Sequence, residues 1–187
     1  MTTLYIKNMV CDRCKAAVAK VLADLGLTPH AVELGTAEVD GPLDGAKLGQ
    51  LRAALARQGF ELLEDRQRQT VERIKSEIIK LVHYNDGAPA VNLSTFLSRK
   101  LNVDYSSLSK LFSENTGITI ERYFILQRVE RVKELLFYGE MSLGEIASRM
   151  NYSSTAYLSS QFKSVTGMTP TQFKAMRKKE LKQLDKI

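Results

Sequence analysis

The chain has little of what most enzymes and secreted proteins rely on. Its 187 residues hold only two cysteines, two histidines and no tryptophan. Two cysteines are too few for a disulfide framework, which excludes the stapled secreted scaffolds. No run of about 18 or more apolar residues occurs, so no membrane span is expected. The start, Met1-Thr-Thr-Leu-Tyr-Ile-Lys7, lacks the long apolar core of a secretory signal, and a cytoplasmic location is expected. With two histidines, no nucleophile motif and no phosphate-binding loop, the sequence gives no support to an enzyme.

What is present is an uneven charge. The formal net charge is +6. Residues 1–64 hold 7 Lys/Arg against 8 Asp/Glu, whereas residues 65–187 hold 20 against 13. The basic excess therefore belongs to the second part, as in a polyanion-binding region joined to something else. Charge alone is also compatible with an ordinary solvated surface.

The first part alternates strand and helix signals. Leu4 and Ile6, extended to Asn8, read as a strand. Ala16, Val18, Val21, Leu22 and Leu25 keep helical spacing up to Gly26. Residues 31–34 and 37–39 read as short strands around Gly35. Leu48, Leu51 and Leu55 mark a second helix closed by Gly59, and residues 60–63 a last strand. The order βαββαβ is that of a ferredoxin-like domain over residues 1–64. The polar stretch 64–70 reads as a linker or as the first turn of the next helix. A helix is expected over 71–84, broken by Asp86-Gly-Ala-Pro89.

The second part, residues 65–187, reads as all helical and contains a repeat. Leu93-Ser-Thr-Phe-Leu-Ser-Arg99, Leu108-Ser-Lys-Leu-Phe112 and Gly117-Ile-Thr119 return fifty positions later. The second copy is Leu143-Gly-Glu-Ile-Ala-Ser-Arg149, Leu158-Ser-Ser-Gln-Phe162 and Gly167-Met-Thr-Pro170. Each copy, about 92–117 and 142–167, predicts a helix, a tight turn and a second helix. Asn102 and Asn151 stand at the turns, where a residue tolerant of positive φ is wanted. Ser142 with Glu145, and Thr169 with Gln172, have capping-box spacing. Leu108, Phe112, Ile146, Met150, Leu158 and Phe162 are expected in the core. That leaves Ser106, Ser109 and Lys110 outward on one second helix, and Ala156, Ser159, Ser160 and Lys163 on the other. Small hydroxyls and lysines suit base edges and phosphates. A connecting helix over 120–138, about 19 residues, spans roughly 28 Å. One turn of B-DNA is about 34 Å, so two such helices could enter successive major grooves.

Residues from about 67 to 180 resemble the DNA-binding domain of the AraC/XylS family of bacterial transcription regulators. The second copy carries most of the resemblance, and Gln127-Arg-Val-Glu-Arg-Val-Lys-Glu-Leu-Leu136 resembles the connecting helix, with Arg128 at the usual arginine. The resemblance implies base contacts from Ser106, Ser109 and Lys110, then from Ala156, Ser159 and Ser160. It implies double-stranded promoter DNA as partner, with RNA polymerase and a second copy of the chain as further candidates and no membrane. Ser160 stands where the family commonly has arginine, so an Arg–guanine contact is lacking there.

Cys11 and Cys14 lie between the first strand and the first helix. A helix N-terminus and the neighbouring Arg13 and Lys15 can make a thiol there more acidic. Two thiolates suit a soft ion held nearly linearly, such as Cu(I), or half of a tetrahedral zinc site that His30 is not spaced to complete. Met9-x-Cys11-x-x-Cys14 and Gly59-Phe60 resemble the heavy-metal-associated domain of copper chaperones and transport ATPases. Asn8 and Val10 depart from that family's usual pattern. The residues around the pair lack the Trp and Pro of a thioredoxin-like enzyme. The combined expectation is an α+β, two-domain transcription regulator responsive to a soft metal ion or to redox state. The alternative is a metal-carrier or thiol-redox protein whose helical domain docks protein partners.

Overall fold

The computed structural model describes residues 1–85 and 92–175. The break expected at 86–89 and the residues from 176 onward lie outside the described residues. The chain divides into two compact units, Met1–Ser76 and Glu77–Ile187.

Unit 1 runs β1 (Thr2–Lys7), α1 (Asp12–Asp24), β2 (Pro29–Glu33), β3 (Thr36–Val39), α2 (Gly45–Arg57) and β4 (Glu61–Leu63). The four strands form one antiparallel sheet in the order β2-β3-β1-β4. Leu4 and Ile6 of β1 and Ala37 and Val39 of β3 point to the same side. There they meet Val18, Val21 and Leu22 of α1 and Leu51 and Leu55 of α2 in one apolar cluster. Alternation along the strands and helical spacing along α1 and α2 therefore specify the same core. β1 stops short of Asn8, whose φ of 73° cannot continue a strand. The Asn8 amide instead donates to the Gly59 carbonyl at 2.9 Å, tying the β1–α1 loop to the end of α2.

The polar stretch after β4 is the start of a helix. Asp65 accepts the Arg68 backbone N–H at 2.8 Å, and α3 (Arg66–Ile79) follows, continued by a π-helical turn (Lys80–Tyr84). Gln69 donates to the Leu63 carbonyl at 2.9 Å and Arg68 pairs with Glu61 at 2.6 Å. Those local ties hold the beginning of α3 within unit 1, so the division falls at Ser76 rather than at the polar stretch. Gly35, at φ +80°, approaches Ser76 so closely that a Cβ there would lie 2.5 Å from the Ser76 hydroxyl.

Unit 2 continues with α4 (Leu93–Leu101), α5 (Tyr105–Thr116), α6 (Ile120–Tyr138), α7 (Leu143–Arg149), α8 (Thr155–Thr166) and α9 (Pro170–Ala175). α6 is the central rod and packs against α5, α7, α8, α9 and the π-helical turn. Its buried side includes polar residues that the apolar pattern does not reveal: Gln127, Glu130 and Lys133. Each is paired, as burial requires. Lys133 binds Glu130 at 2.6 Å, while Gln127 donates to the Tyr123 hydroxyl and meets the His83 ring, both at 3.0 Å.

Candidate nucleic-acid interface

The fifty-residue repeat is a repeat of caps before it is a repeat of shape. Asn92, Asp104 and Thr119 cap α4, α5 and α6; Ser142, Ser154 and Thr169 stand fifty positions later, and Ser142 and Ser154 cap α7 and α8. Ser142 and Glu145 form a capping box, and Thr169 and Gln172 exchange the same two bonds at 3.2 and 2.9 Å ahead of Pro170. Asn102 and Asn151 take left-handed φ values of 54° and 52°, as expected at the turns. Gly117 and Gly167 end α5 and α8 at φ 75° and 80°.

The helix pairs are packed alike. Leu108 and Phe112 of α5, and Leu158 and Phe162 of α8, are buried, with Ile146 and Met150 buried beside them. Phe112 meets Tyr123 of α6, and Phe162 meets Phe173 of α9, each with ring centroids 5.6 Å apart.

With those faces hidden, the other side of each helix is presented outward. Ser106 and Lys110 of α5 are exposed, as are Ala156, Ser160 and Lys163 of α8. Ser109 and Ser159 follow the buried leucines directly and are half-buried at the flank. The Ser106 hydroxyl donates to the Asp104 carboxylate at 2.5 Å, so it faces outward chiefly as an acceptor. Lys110 forms no ion pair among the described residues, which leaves its ammonium available to an anion. Two further side chains belong to this surface. Ser107 is exposed on α5. Tyr157, fifty positions on, is 52% exposed on α8. Helical spacing places both beside the buried leucines, and the sequence gives no signal that they stay open.

The connections within the pairs differ. Residues 102–104 join α4 to α5, whereas 150–154 join α7 to α8, because α7 ends two residues earlier in its copy.

In unit 1, Cys11 is the N-cap of α1 and its thiol makes no capping bond, while the Cys14 backbone N–H donates to the Cys11 carbonyl at 2.9 Å. The two sulfurs lie 3.5 Å apart, both half-exposed and both free thiols. The expected acidification is not found at Cys14. Burial raises its pKa, and the neighbouring Cys11 thiol adds to the rise. Lys15, expected to help, is instead paired with Asp12 at 2.9 Å. Two sulfurs about 2.3 Å from one ion lie up to roughly 4.6 Å apart when linear. From 3.5 Å that requires an opening of up to about 1.1 Å, and the two sulfurs present soft donors side by side. Among the described residues no group of three or more His, Cys, Asp or Glu could hold a metal, and His30 is bonded to Asp40 at 2.6 Å.

No helix among the described residues is long and apolar enough to cross a membrane. Residues 97–176 match the family model described as a helix-turn-helix domain. The chain is 28% identical over 99 residues to the Msm operon regulatory protein of Streptococcus mutans, covering 53% of this chain and 35% of that one. It is 30% identical over 101 residues to the transcriptional regulatory protein YesN of Bacillus subtilis, covering 53% and 27%. The chain thus spans about a third or less of the length of these relatives. Among solved structures it is similar to the C-terminal domain of AraT, a response regulator from Geobacillus stearothermophilus. That likeness has a TM-score of 0.52 at 28% identity and covers 62% of this chain and 92% of that one. Residues 97–176 fall within unit 2, which therefore contains a helix-turn-helix domain.

Proposed function

We propose that the chain is a cytoplasmic, AraC/XylS-type transcription regulator that binds double-stranded promoter DNA through unit 2. The observation that carries this reading is the duplicated helix pair. Two capped helices, α5 and α8, each bury one face against an aromatic partner and offer small hydroxyls and lysines on the other. α5 and α8 are the reading helices. Lys110 and Lys163 meet phosphates, while Ser106, Ser109, Ala156, Ser159 and Ser160 lie at base edges or sugars. The basic excess of residues 65–187 supports the same reading. RNA polymerase and a second copy of the chain are the natural further partners of such a regulator.

Unit 1 is taken as a ferredoxin-like module resembling heavy-metal-associated domains, and its strand order and one-sided helices support that assignment. Cys11 and Cys14 would hold a soft ion such as Cu(I), so that metal or redox state regulates unit 2. Such regulation is allosteric only if the ion binds two states of the protein unequally. Binding of the full chain to a library of random duplexes, followed by sequencing, tests the DNA assignment. An enriched motif is expected, and retention no better than that of an unrelated protein would refute it.

A further inference from the structure

The turn of the second helix pair is held from outside the pair. Arg128 of α6 donates from Nη2 to the Met150 carbonyl at 2.6 Å. Its guanidinium carbon lies 3.8 Å from the centroid of the Tyr152 ring and 5.5 Å from that of Phe124. The buried Tyr152 donates its hydroxyl to Gln161 of α8 at 2.8 Å, and its ring lies 5.9 Å from that of Tyr157. A chain of contacts thus runs from α6, through the turn, to the outward surface of α8. The Nε of Arg128 is buried without a hydrogen-bond partner among the described residues. The guanidinium is therefore placed by the Met150 carbonyl and the two rings, a charge-assisted hydrogen bond combined with stacking.

Among the described residues, the first pair has no such clamp on its turn. The residues fifty positions before Met150 and Tyr152 are Lys100 and Asn102, both exposed. The shorter turn of residues 102–104 leads directly into α5 from the left-handed Asn102. The longer turn of residues 150–154 has Asn151 in the same conformation and still takes up a side chain from α6.

We propose that Arg128 is the positioning residue of the second reading helix: by clamping Met150 and Tyr152 it sets the orientation of α8, so that the second pair's grip on DNA depends on this side chain and the first pair's does not. This rests on the DNA-binding reading above. Lysine keeps the charge but loses the planar fork, and methionine keeps only the stem.

The test is hydroxyl-radical footprinting of the full chain on a duplex selected from the random library, with Lys110→Ala identifying the patch that belongs to the first pair. Arg128→Met is expected to weaken protection of the other patch about tenfold, the effect of losing one charge-assisted bond and its stacking. Arg128→Lys is expected to fall between, with the first patch unchanged. Equal weakening of both patches, or none, overturns the proposal. Amide hydrogen exchange keeps the test independent of DNA: faster exchange over residues 155–161 than over 105–111 is expected in Arg128→Lys. If the wild-type chain protects no DNA, the binding reading fails and the exchange comparison alone decides the clamp. If Arg128→Met does not fold, Arg128→Lys decides in the same two measurements.

Discussion

The rings of Phe162 and Phe173 lie 5.6 Å apart, the distance that also separates Phe112 from Tyr123 fifty positions earlier. The same device therefore fastens α5 to the start of α6 and α8 to α9. Truncating a fully buried ring leaves a cavity that the surroundings fill only in part, at about 3–5 kcal/mol. Phe112→Ala and Phe162→Ala should each lower unfolding free energy by that order in urea titrations. The exposed Ser160→Ala should change it by less than about 0.5 kcal/mol.

The cap of α5 has a pH signature. Hydrogen bonds from Ser106 and Ser107 hold the Asp104 carboxyl at about 2, below its ordinary value. A depressed carboxylate stabilises the fold fully above its unfolded pKa, near 4, and loses that contribution as pH falls through the folded value. The difference in stability between wild type and Asp104→Asn should be constant above about pH 4 and shrink toward pH 2. A difference that stays constant down to pH 2 would contradict the cap assignment. At α8, Ser154→Ala should cost about 1 kcal/mol, measured by denaturant titration.

Under the proposed function, Ser160 is the weak point of α8. It is exposed, and an arginine there could make the bidentate guanine contact that serine cannot. Ser160→Arg should tighten binding to sites that carry guanine opposite α8, with about 1–3 kcal/mol of discrimination against other bases. Sequencing of selected duplexes reads this directly, as a new preferred guanine.

The cysteine pair predicts a stoichiometry. Cu(I) titration of the reduced chain, with a competing chelator, should give one ion per chain. Cys11→Ser and Cys14→Ser should each abolish tight binding, because each variant leaves a single thiolate. Unchanged affinity in either variant would remove the pair from the site.

The fold was legible wherever a local signal specified it. Asn102, Asn151, Gly117 and Gly167 announce backbone reversals through their own conformational tolerance, and Ser142 with Glu145 is a cap written in four letters of sequence. The polar stretch before α3 was ambiguous because a cap such as Asp65 and a linker share one composition. What depended on distant partners was not legible. Gln127, Glu130 and Lys133 look like surface residues until their partners are known. The clamp joining Arg128 to Met150 and Tyr152 spans more than one helix, so no periodicity reports it. The raised pKa of Cys14 is not legible either, because the helix N-terminus is visible in the sequence, whereas the burial that outweighs it is not.

The central claim is that unit 2 holds DNA through two helices whose lysines meet phosphates, and the salt dependence of binding tests it most directly. Affinity of the full chain for its selected duplex should fall linearly on a log–log plot, with a slope near −0.9 for each phosphate neutralised. Lys110→Ala should make that slope shallower by about 0.9. Binding that ignores salt, or a slope unmoved by Lys110→Ala, would contradict the account.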